Sequence, residues 1–557
     1  MNNSSIADIF SFLSRLMDIH GENSFRTKSY SVAAYNIEKL PVELSTQPAE
    51  KIFAIKGIGE ATGKKILEII ETGKLKILEE YLLKTPPGVV EMLNIKGLGP
   101  KKIAVIWKEM GIETLGELLY ACNENRLLLF KGFGEKTQQS VKAAIEFYLR
   151  SKGSYLFAEI ELQAFALQQQ LKAIFTNKKF EFTGAFKQQS PTIKKLEWVT
   201  TADTLSLHDY FKSLSCTVAE ECEQFTIFKT PDNSLLKFNY AGDNNFGTIL
   251  FQTSCSVSFL NAWEAKFPET KLYTEEKQIF DDANVPYILP CLREKASVII
   301  KAIENKLPDI IQPADIRGII HSHSNWSDGI NSIEEMAKGA IEMGFEYIVL
   351  SDHSKSAFYA NGLKEERIKE QHHYIDELNN KLYPFRIFKS IEADILSDGS
   401  LDYSNEVLAT FDLVIASVHS NLKMTEEKAM LRLLGAIQNP YTTILGHMTG
   451  RLLLSREGYP VDHEKIIRAC VENNVVIELN AHPSRLDVDW SYIDDALDMG
   501  AMISINPDAH SIDGFKHIKY GVMAAQKGGV ESKHNLSSYD LKSLELYLEQ
   551  RKAKRNL

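Results

Sequence analysis

Between Arg317 and His510, seven short apolar runs each end on a side chain able to bind a metal ion. They read IRGIIHSHS, YIVLSDH, RIFKSIEAD, DLVIASVHS, TTILGHM, VVIELNAH and AMISINPDAH, and they end on His321 and His323, His353, Glu392, His419, His447, His482, and Asp508 with His510. A single histidine on an apolar run is usually a packed or capping residue. Ligand-type residues at the same end of every run are a different observation, because scattered histidines would not all choose that end. Imidazole and carboxylate without thiolate suit Zn²⁺, Mn²⁺ or Fe²⁺, and about nine ligands suffice for two or three ions. Cys470 falls in mid-helix and reads as core.

The elements that must position these groups follow from the same stretch. Each run is rich in Ile, Val or Leu, as buried parallel strands are. Segments of helical period, such as SIEEMAKGAIEMG and HEKIIRACVENN, lie between them. Strand and helix in alternation predict a (β/α) barrel whose chemistry sits at the C-terminal rim of its strands. Lys355, Arg451, Arg456 and Arg485 follow strand ends and are candidates to hold a substrate phosphate. Taken singly, each fits a surface role equally well.

His321-Ser-His323, Ser327-Asp328-Gly329, Asp352-His353, Glu392, His419, His447 and Asp508-Ala-His510 occur in the order found in the polymerase-and-histidinol-phosphatase (PHP) family. Residues 317–530 resemble that family, which implies a distorted (β/α)7 barrel hydrolysing phosphoesters with a trinuclear centre. The resemblance assigns one ion to His321, His323, Glu392 and Asp508, with Glu392 bridging to a second held by His419 and His447. Asp328, His353 and His510 would hold the third. Glu392, His419 and Asp508 are accordingly the expected catalytic residues. His482, outside this set, is expected to lie behind the ligands or to face substrate.

The N-terminal part carries a different signal. IADIFSFLSRLMDIH has helical period, and in SYSVAAYNIEKL the residues Tyr30, Ala33, Ala34 and Ile37 share one helix face. Three related segments follow: AIKGIGEATGKKILEII, NIKGLGPKKIAVIWKEM and LFKGFGEKTQQSVKAAI. Each places a lysine (Lys56, Lys96, Lys131) before a Gly-x-Gly (Gly57/Gly59, Gly97/Gly99, Gly132/Gly134) that opens a helix. Such a turn can aim backbone amides at a phosphate. The segments resemble helix-hairpin-helix motifs, which imply contact with the DNA backbone and no reading of sequence.

Helix-hairpin-helix repeats ahead of a PHP barrel resemble a bacterial family X DNA polymerase with a PHP domain. That resemblance implies a multidomain α+β and α/β chain. Its expected parts are a helical DNA-binding domain (1–50), a fingers-like helix-hairpin-helix region (51–150), a nucleotidyltransferase-like palm and thumb (151–307), and the barrel with a C-terminal helix (308–557). The family's palm has Gly-Ser, then an Asp-x-Asp pair and a third aspartate. Here Gly184-Ala185 replaces Gly-Ser, Lys195 and Glu197 occupy the pair, and Lys237 stands in the third position. Polymerases align primer and triphosphate with two Mg²⁺ on those carboxylates. Lysines there repel cations, so the palm is expected to have lost nucleotidyl transfer.

At 557 residues, with 25% charged and 44% hydrophobic residues, the chain reads as several globular domains. No apolar run approaches a membrane span, no signal-peptide plan opens the chain, and the six cysteines have no repeated spacing, which suits a reducing cytoplasm. The net charge of −11 excludes a wholly basic nucleic-acid wrapper. The first 150 residues nevertheless carry a slight excess of Lys and Arg, which concentrates expected DNA contact there. The expected function is a metal-dependent phosphoesterase on DNA ends, a 3′–5′ exonuclease or 3′-end phosphatase in repair. Alternatives are an active family X polymerase with exonuclease, a non-catalytic DNA-binding scaffold, and a small-molecule phosphatase.

Overall fold

The computed structural model describes residues 3–38, 40, 42–55, 58–150, 153–268 and 271–555. The chain divides into two bodies, 1–123 with 130–148, and 124–129 with 149–557.

The described residues of the first body form helices joined by turns, with no strand among them. α1 (Asn3–His20) buries Ile6, Phe10, Leu13 and Met17, a stripe at helical period. α2 (Ser24–Glu38) buries Tyr30, Ala33, Ala34 and Ile37, the face expected from their spacing, and the Phe10 and Tyr30 rings meet at 6.0 Å. α3 (Ala49–Phe53), α4 (Glu60–Thr72), α5 (Lys76–Lys84), α6 (Pro87–Glu91), α7 (Pro100–Lys108), α8 (Leu115–Asn123) and α9 (Glu135–Arg150) complete the set. α4, α7 and α9 each begin at the residue after the second glycine of a repeat.

The second body opens with a mixed α/β part. β1 (Tyr155–Leu156) pairs with β3 (Thr192–Ile193), while β2 (Phe180–Thr183), β4 (Leu196–Thr200), β5 (Thr217–Glu221), β6 (Phe225–Lys229) and β7 (Leu235–Tyr240) form a sheet in the order β2-β4-β7-β6-β5. Its core is aromatic: Phe180, Trp198, Phe211 and Phe238 are buried together. A second cluster of Phe251, Phe259, Trp263 and Phe280 encloses the fully buried Arg293.

The barrel strands are β8 (Gly318–Ser322), β9 (Tyr347–Leu350), β10 (Arg386–Asp394), β11 (Leu413–Ser417), β12 (Thr442–Leu445), β13 (Val476–Asn480) and β14 (Ile503–Asn506). They are parallel and paired in sequence order. A bridge between Ser322 and Ala509 brings the two edges together, so the seven-stranded barrel is nearly closed. Apart from Arg386 and Lys389, every residue of these strands is buried, as a parallel sheet covered on both faces requires. Connecting helices start at defined caps. Ser332 and Glu335 form a reciprocal capping box, and Thr425 and Asp462 cap the helices Glu426–Gln438 and His463–Glu472. The C-terminal helix Leu541–Lys554 buries Leu544 and Leu548 against the barrel, and Arg551 binds the carbonyls of Thr442 and Asn474.

Candidate metal centre

Strand period brings the rim together. Residues two apart on a strand share a face, so Glu392 with Asp394, and Glu478 with Asn480 and His482, aim at one end of the barrel. All nine residues expected as ligands converge there, and all but His419 are under 9% exposed. Ligand-type atoms lie within 4.8 Å of one another in three groups: His321, His323 and Asp508; His353, Glu392 and His419; and His323, Asp328, His353 and His510. His447 joins through Glu392. The Glu392 Oε1 lies 3.0 Å from His447 Nε2, 3.1 Å from His419 Nε2 and 3.3 Å from His321 Nε2. Its Oε2 lies 3.0 Å from His353 Nδ1 and 3.7 Å from His323 Nε2. One carboxylate thus faces five imidazoles, the geometry a bridging ligand needs.

Local backbone serves this convergence. His321 (φ 65°) and Asp508 (φ 49°) hold left-handed conformations that cost non-glycine residues on the order of 1–3 kcal/mol. Gly329 lets the Asp328 loop pass under His323, since a Cβ there would meet the His323 carbonyl oxygen at 2.5 Å.

The donor set fits divalent cations. Among the described residues, His321 Nε2, both nitrogens of His323, Asp328 Oδ2, His353 Nδ1 and Glu392 Oε2 are buried and make no hydrogen bond. Orphaned buried polar atoms are rare, and here they point at one another. Charge agrees with geometry. Burial opposes ionisation of Glu392, but His419, His321 and His353 hold its carboxyl well below the usual range, and Asp328 and Asp508 are held low by neighbouring histidines in the same way. Burial, with His510 and His353 alongside, pushes His323 down to about 3, and burial lowers His447 too. Burial also opposes charge on His321, His353, His419 and His510, but neighbouring carboxylates outweigh it and raise all four, so a cation would have to displace protons from them. Ionised carboxylates and neutral imidazoles are the forms that ligate.

Two supporting carboxylates escaped the reading of the sequence. Glu478 takes His321 Nδ1 at 2.6 Å, and also accepts the His447 backbone N–H at 2.7 Å and Asn506 at 2.8 Å. Asp394 takes His419 Nδ1 at 2.5 Å. Such partners fix a histidine's tautomer and ring angle. An acid inside the apolar run VVIELN, and one two residues beyond Glu392, were the available signals. Asp352, bonded to Ser324, Ser327 and Gln371, ties down the loop bearing Asp328.

The expected phosphate-holding residues divide. Arg485 is buried, with Nε 3.9 Å from Asp508 Oδ2. Lys355 is half-exposed and pairs with Glu365 at 2.7 Å. Arg451 is a correction: its guanidinium binds Asp489 and the carbonyls of Arg485 and Leu486, so all three of its nitrogens brace the 485–489 turn. Arg456 is likewise bonded to the Gly450 carbonyl. His482 lies beside the cluster; its Nδ1 accepts the Ser484 N–H, and its ring packs on His517.

In the five-stranded sheet, the register sets Glu197 opposite Lys237. Lys195 lies in the bend between β3 and β4, not on one continuous strand, and its Nζ is 3.7 Å from Glu197 Oε1; Lys237 Nζ is 3.5 Å from Oε2. In the helical body, Lys96 and Lys131 are exposed, and Gly97 (φ 92°) and Gly132 (φ 97°) take the left-handed turn that glycine permits. Gly59, Gly99 and Gly134 have open space where a Cβ would stand. Lys56 and Gly57 lie outside the described residues.

A helical body with repeated glycine turns, an α/β middle and a nearly closed seven-stranded barrel with a histidine–carboxylate rim define a PHP-bearing, DNA-associated enzyme class. Family models agree: a helix-hairpin-helix domain matches residues 1–75, a SAM-like helix-hairpin-helix tandem 89–146, and a PHP domain 320–482. The chain is 30% identical, over 98% of its length and 99% of the relative's, to the DNA polymerase/3′-5′ exonuclease PolX of Bacillus subtilis. It is also 32% identical, over 29% of its length and 64% of the relative's, to a probable phosphatase of Acetivibrio thermocellus. The chain belongs to the PolX family, the family X DNA polymerases that carry a PHP domain. No helix among the described residues is long and apolar enough to cross a membrane.

Proposed function

We propose that this chain is a metal-dependent phosphoesterase that processes DNA ends, as a 3′–5′ exonuclease or 3′-end phosphatase in repair, and that its palm no longer polymerises. The observation that carries the reading is the contrast between two sites of one chain. Nine ligand-type side chains converge on the barrel rim, while two lysines flank the one carboxylate at the palm's metal-binding positions. The relative's exonuclease name and the phosphatase relatives of the barrel support the hydrolytic part.

In this reading His321, His323, Glu392 and Asp508 hold one divalent ion, Glu392, His419 and His447 a second, and Asp328, His353 and His510 a third, with Mn²⁺, Zn²⁺ or Fe²⁺ as the candidates. When bound, such ions acidify water to supply a nucleophile and offset charge on a phosphoester. The chain's own residues do the rest. Glu478 and Asp394 hold His321 and His419 in the tautomer that presents Nε2. Arg485 supplies a buried cation beside Asp508, suited to a substrate phosphate oxygen. Gly57/Gly59, Gly97/Gly99 and Gly132/Gly134, with Lys56, Lys96 and Lys131, grip the DNA backbone without sequence preference.

The relative's name also supports a second reading, an active polymerase with exonuclease. Metal-supplemented assays on 5′-labelled single-stranded, recessed and 3′-phosphate DNA, run with and without nucleotides, test both. Shortening or dephosphorylation without extension is expected. Template-directed extension would overturn the inactive palm, and no hydrolysis under Mn²⁺ or Zn²⁺ would overturn the phosphoesterase.

A further inference from the structure

Three of the proposed ligand histidines present one ring nitrogen to the ligand cluster and the other to a carboxylate. For His321 the carboxylate is Glu478 on β13, and for His419 it is Asp394 on β10, both barrel residues. For His510 it is Glu124, which lies far outside the barrel in sequence, in the turn after α8. Residues 124–129 belong to the second body although the chain on either side belongs to the first. Glu124 is 4% exposed. Its Oε2 meets His510 Nδ1, and its Oε1 lies 3.9 Å from His482 Nε2. The opposite nitrogen, His510 Nε2, lies 3.3 Å from Asp328 Oδ1, and the ring stacks on His323 at 4.2 Å. The Asp508 carbonyl also approaches His510 Nδ1, at 3.2 Å. A backbone oxygen can therefore share the proton, and the Asp508 carboxylate lies 4.0 Å from the same nitrogen, but Glu124 is the carboxylate in direct contact with it.

We propose that Glu124 is a positioning residue for the metal centre, orienting His510 and strengthening it as a ligand. The centre is then completed by a residue from outside the barrel. The physical reason is that a carboxylate behind an imidazole fixes its tautomer and raises its basicity, and loss of such a partner typically costs about 10–100-fold in metal affinity or activity. The inference rests on the metal-centre reading given under Proposed function.

The test uses the full chain, stripped of metal and titrated with Mn²⁺ by calorimetry and electron paramagnetic resonance. In Glu124→Ala, one class of site should weaken about 10–100-fold while the others keep the parent's affinity. Glu124→Gln, which can still accept from Nδ1–H without the charge, should fall between parent and Ala. Glu478→Gln serves as the comparison, since it should weaken a different site. A Glu124→Ala isotherm equal to the parent's would overturn the proposal. So would equal weakening at every site together with a lowered unfolding temperature of the metal-free protein, which would make Glu124 a structural prop. If the parent itself binds no ion, the metal-centre reading falls, and this inference with it. A parent that binds ions while the variants match it refutes only the role of Glu124.

Discussion

Replacing Glu392 by Gln changes almost no volume and removes one charge from the middle of the barrel rim. Its two oxygens lie 3.0–3.7 Å from nitrogens of His447, His353, His419, His321 and His323. Two unit charges about 4 Å apart attract by roughly 4 kcal/mol at an effective dielectric of about 20. At 1.4 kcal/mol per decade that is about three powers of ten in affinity for a cation held among these groups. The amide also leaves one of the five histidines facing an N–H instead of an acceptor. Hydrolysis of 5′-labelled DNA and of a small phosphodiester at one fixed Mn²⁺ concentration, below that which saturates the parent, should therefore drop about 10³-fold in Glu392→Gln. The same change at Glu197, which sits between Lys195 and Lys237 at the five-stranded sheet, should leave both rates within about twofold. Both variants should unfold cooperatively, as checked by circular dichroism. Glu392→Gln retaining more than a tenth of the parent's rate would refute the reasoning, because no bridging carboxylate could then be at work.

Arg293→Met should destabilise the region by about 3–5 kcal/mol in urea unfolding, because it removes the buried cation that meets Glu276 Oε1 at 2.6 Å and leaves the carboxylate only Lys187 and Tyr287, both on Oε2. Burial pushes Glu276 upward, but Arg293 and Lys187 outweigh it and set its pKa below the ordinary value. Its stabilising contribution is therefore present above the unfolded carboxyl pKa, near 4.3, and is lost as pH falls through the lower folded value. The parent should thus lose stability more steeply than Arg293→Met below about pH 4. Substituting Lys96 and Lys131 together by Ala should flatten the slope of log K against log salt for duplex binding by about 1–2, as for lost phosphate contacts, equally for unrelated sequences. An unchanged slope would remove these lysines from the DNA interface. Glu478→Gln should reduce hydrolysis about 10–100-fold through His321, and a rate equal to the parent's would show that this hydrogen bond does not tune the centre.

The barrel and its rim were readable from residue order, because strand period and strand polarity are local properties. An apolar run bounded by a helix has one C-terminal end, so seven ligand-bearing ends had to meet if the runs closed into a barrel. The α2 face of Tyr30, Ala33, Ala34 and Ile37 was legible for the same reason, and so were the glycine turns at Gly97 and Gly132. Carboxylates that act through another side chain left a weaker trace. Glu478 and Asp394 resemble any buried strand acid until their distances to His321 and His419 are known. Arg451 shows the opposite failure: its position after a strand suggested substrate, and only its bonds to Asp489 and the 485–486 carbonyls revealed a brace. Glu124 left no trace at all. Nothing in ACNENRLLL distinguishes it, since its partner His510 lies at the far end of the chain. Periodicity and chirality act over a few residues, so they determined the strands, the rim and the glycine turns in advance. Which charge ends up behind which imidazole depends on contacts between segments remote in sequence, and only the packed chain decides that.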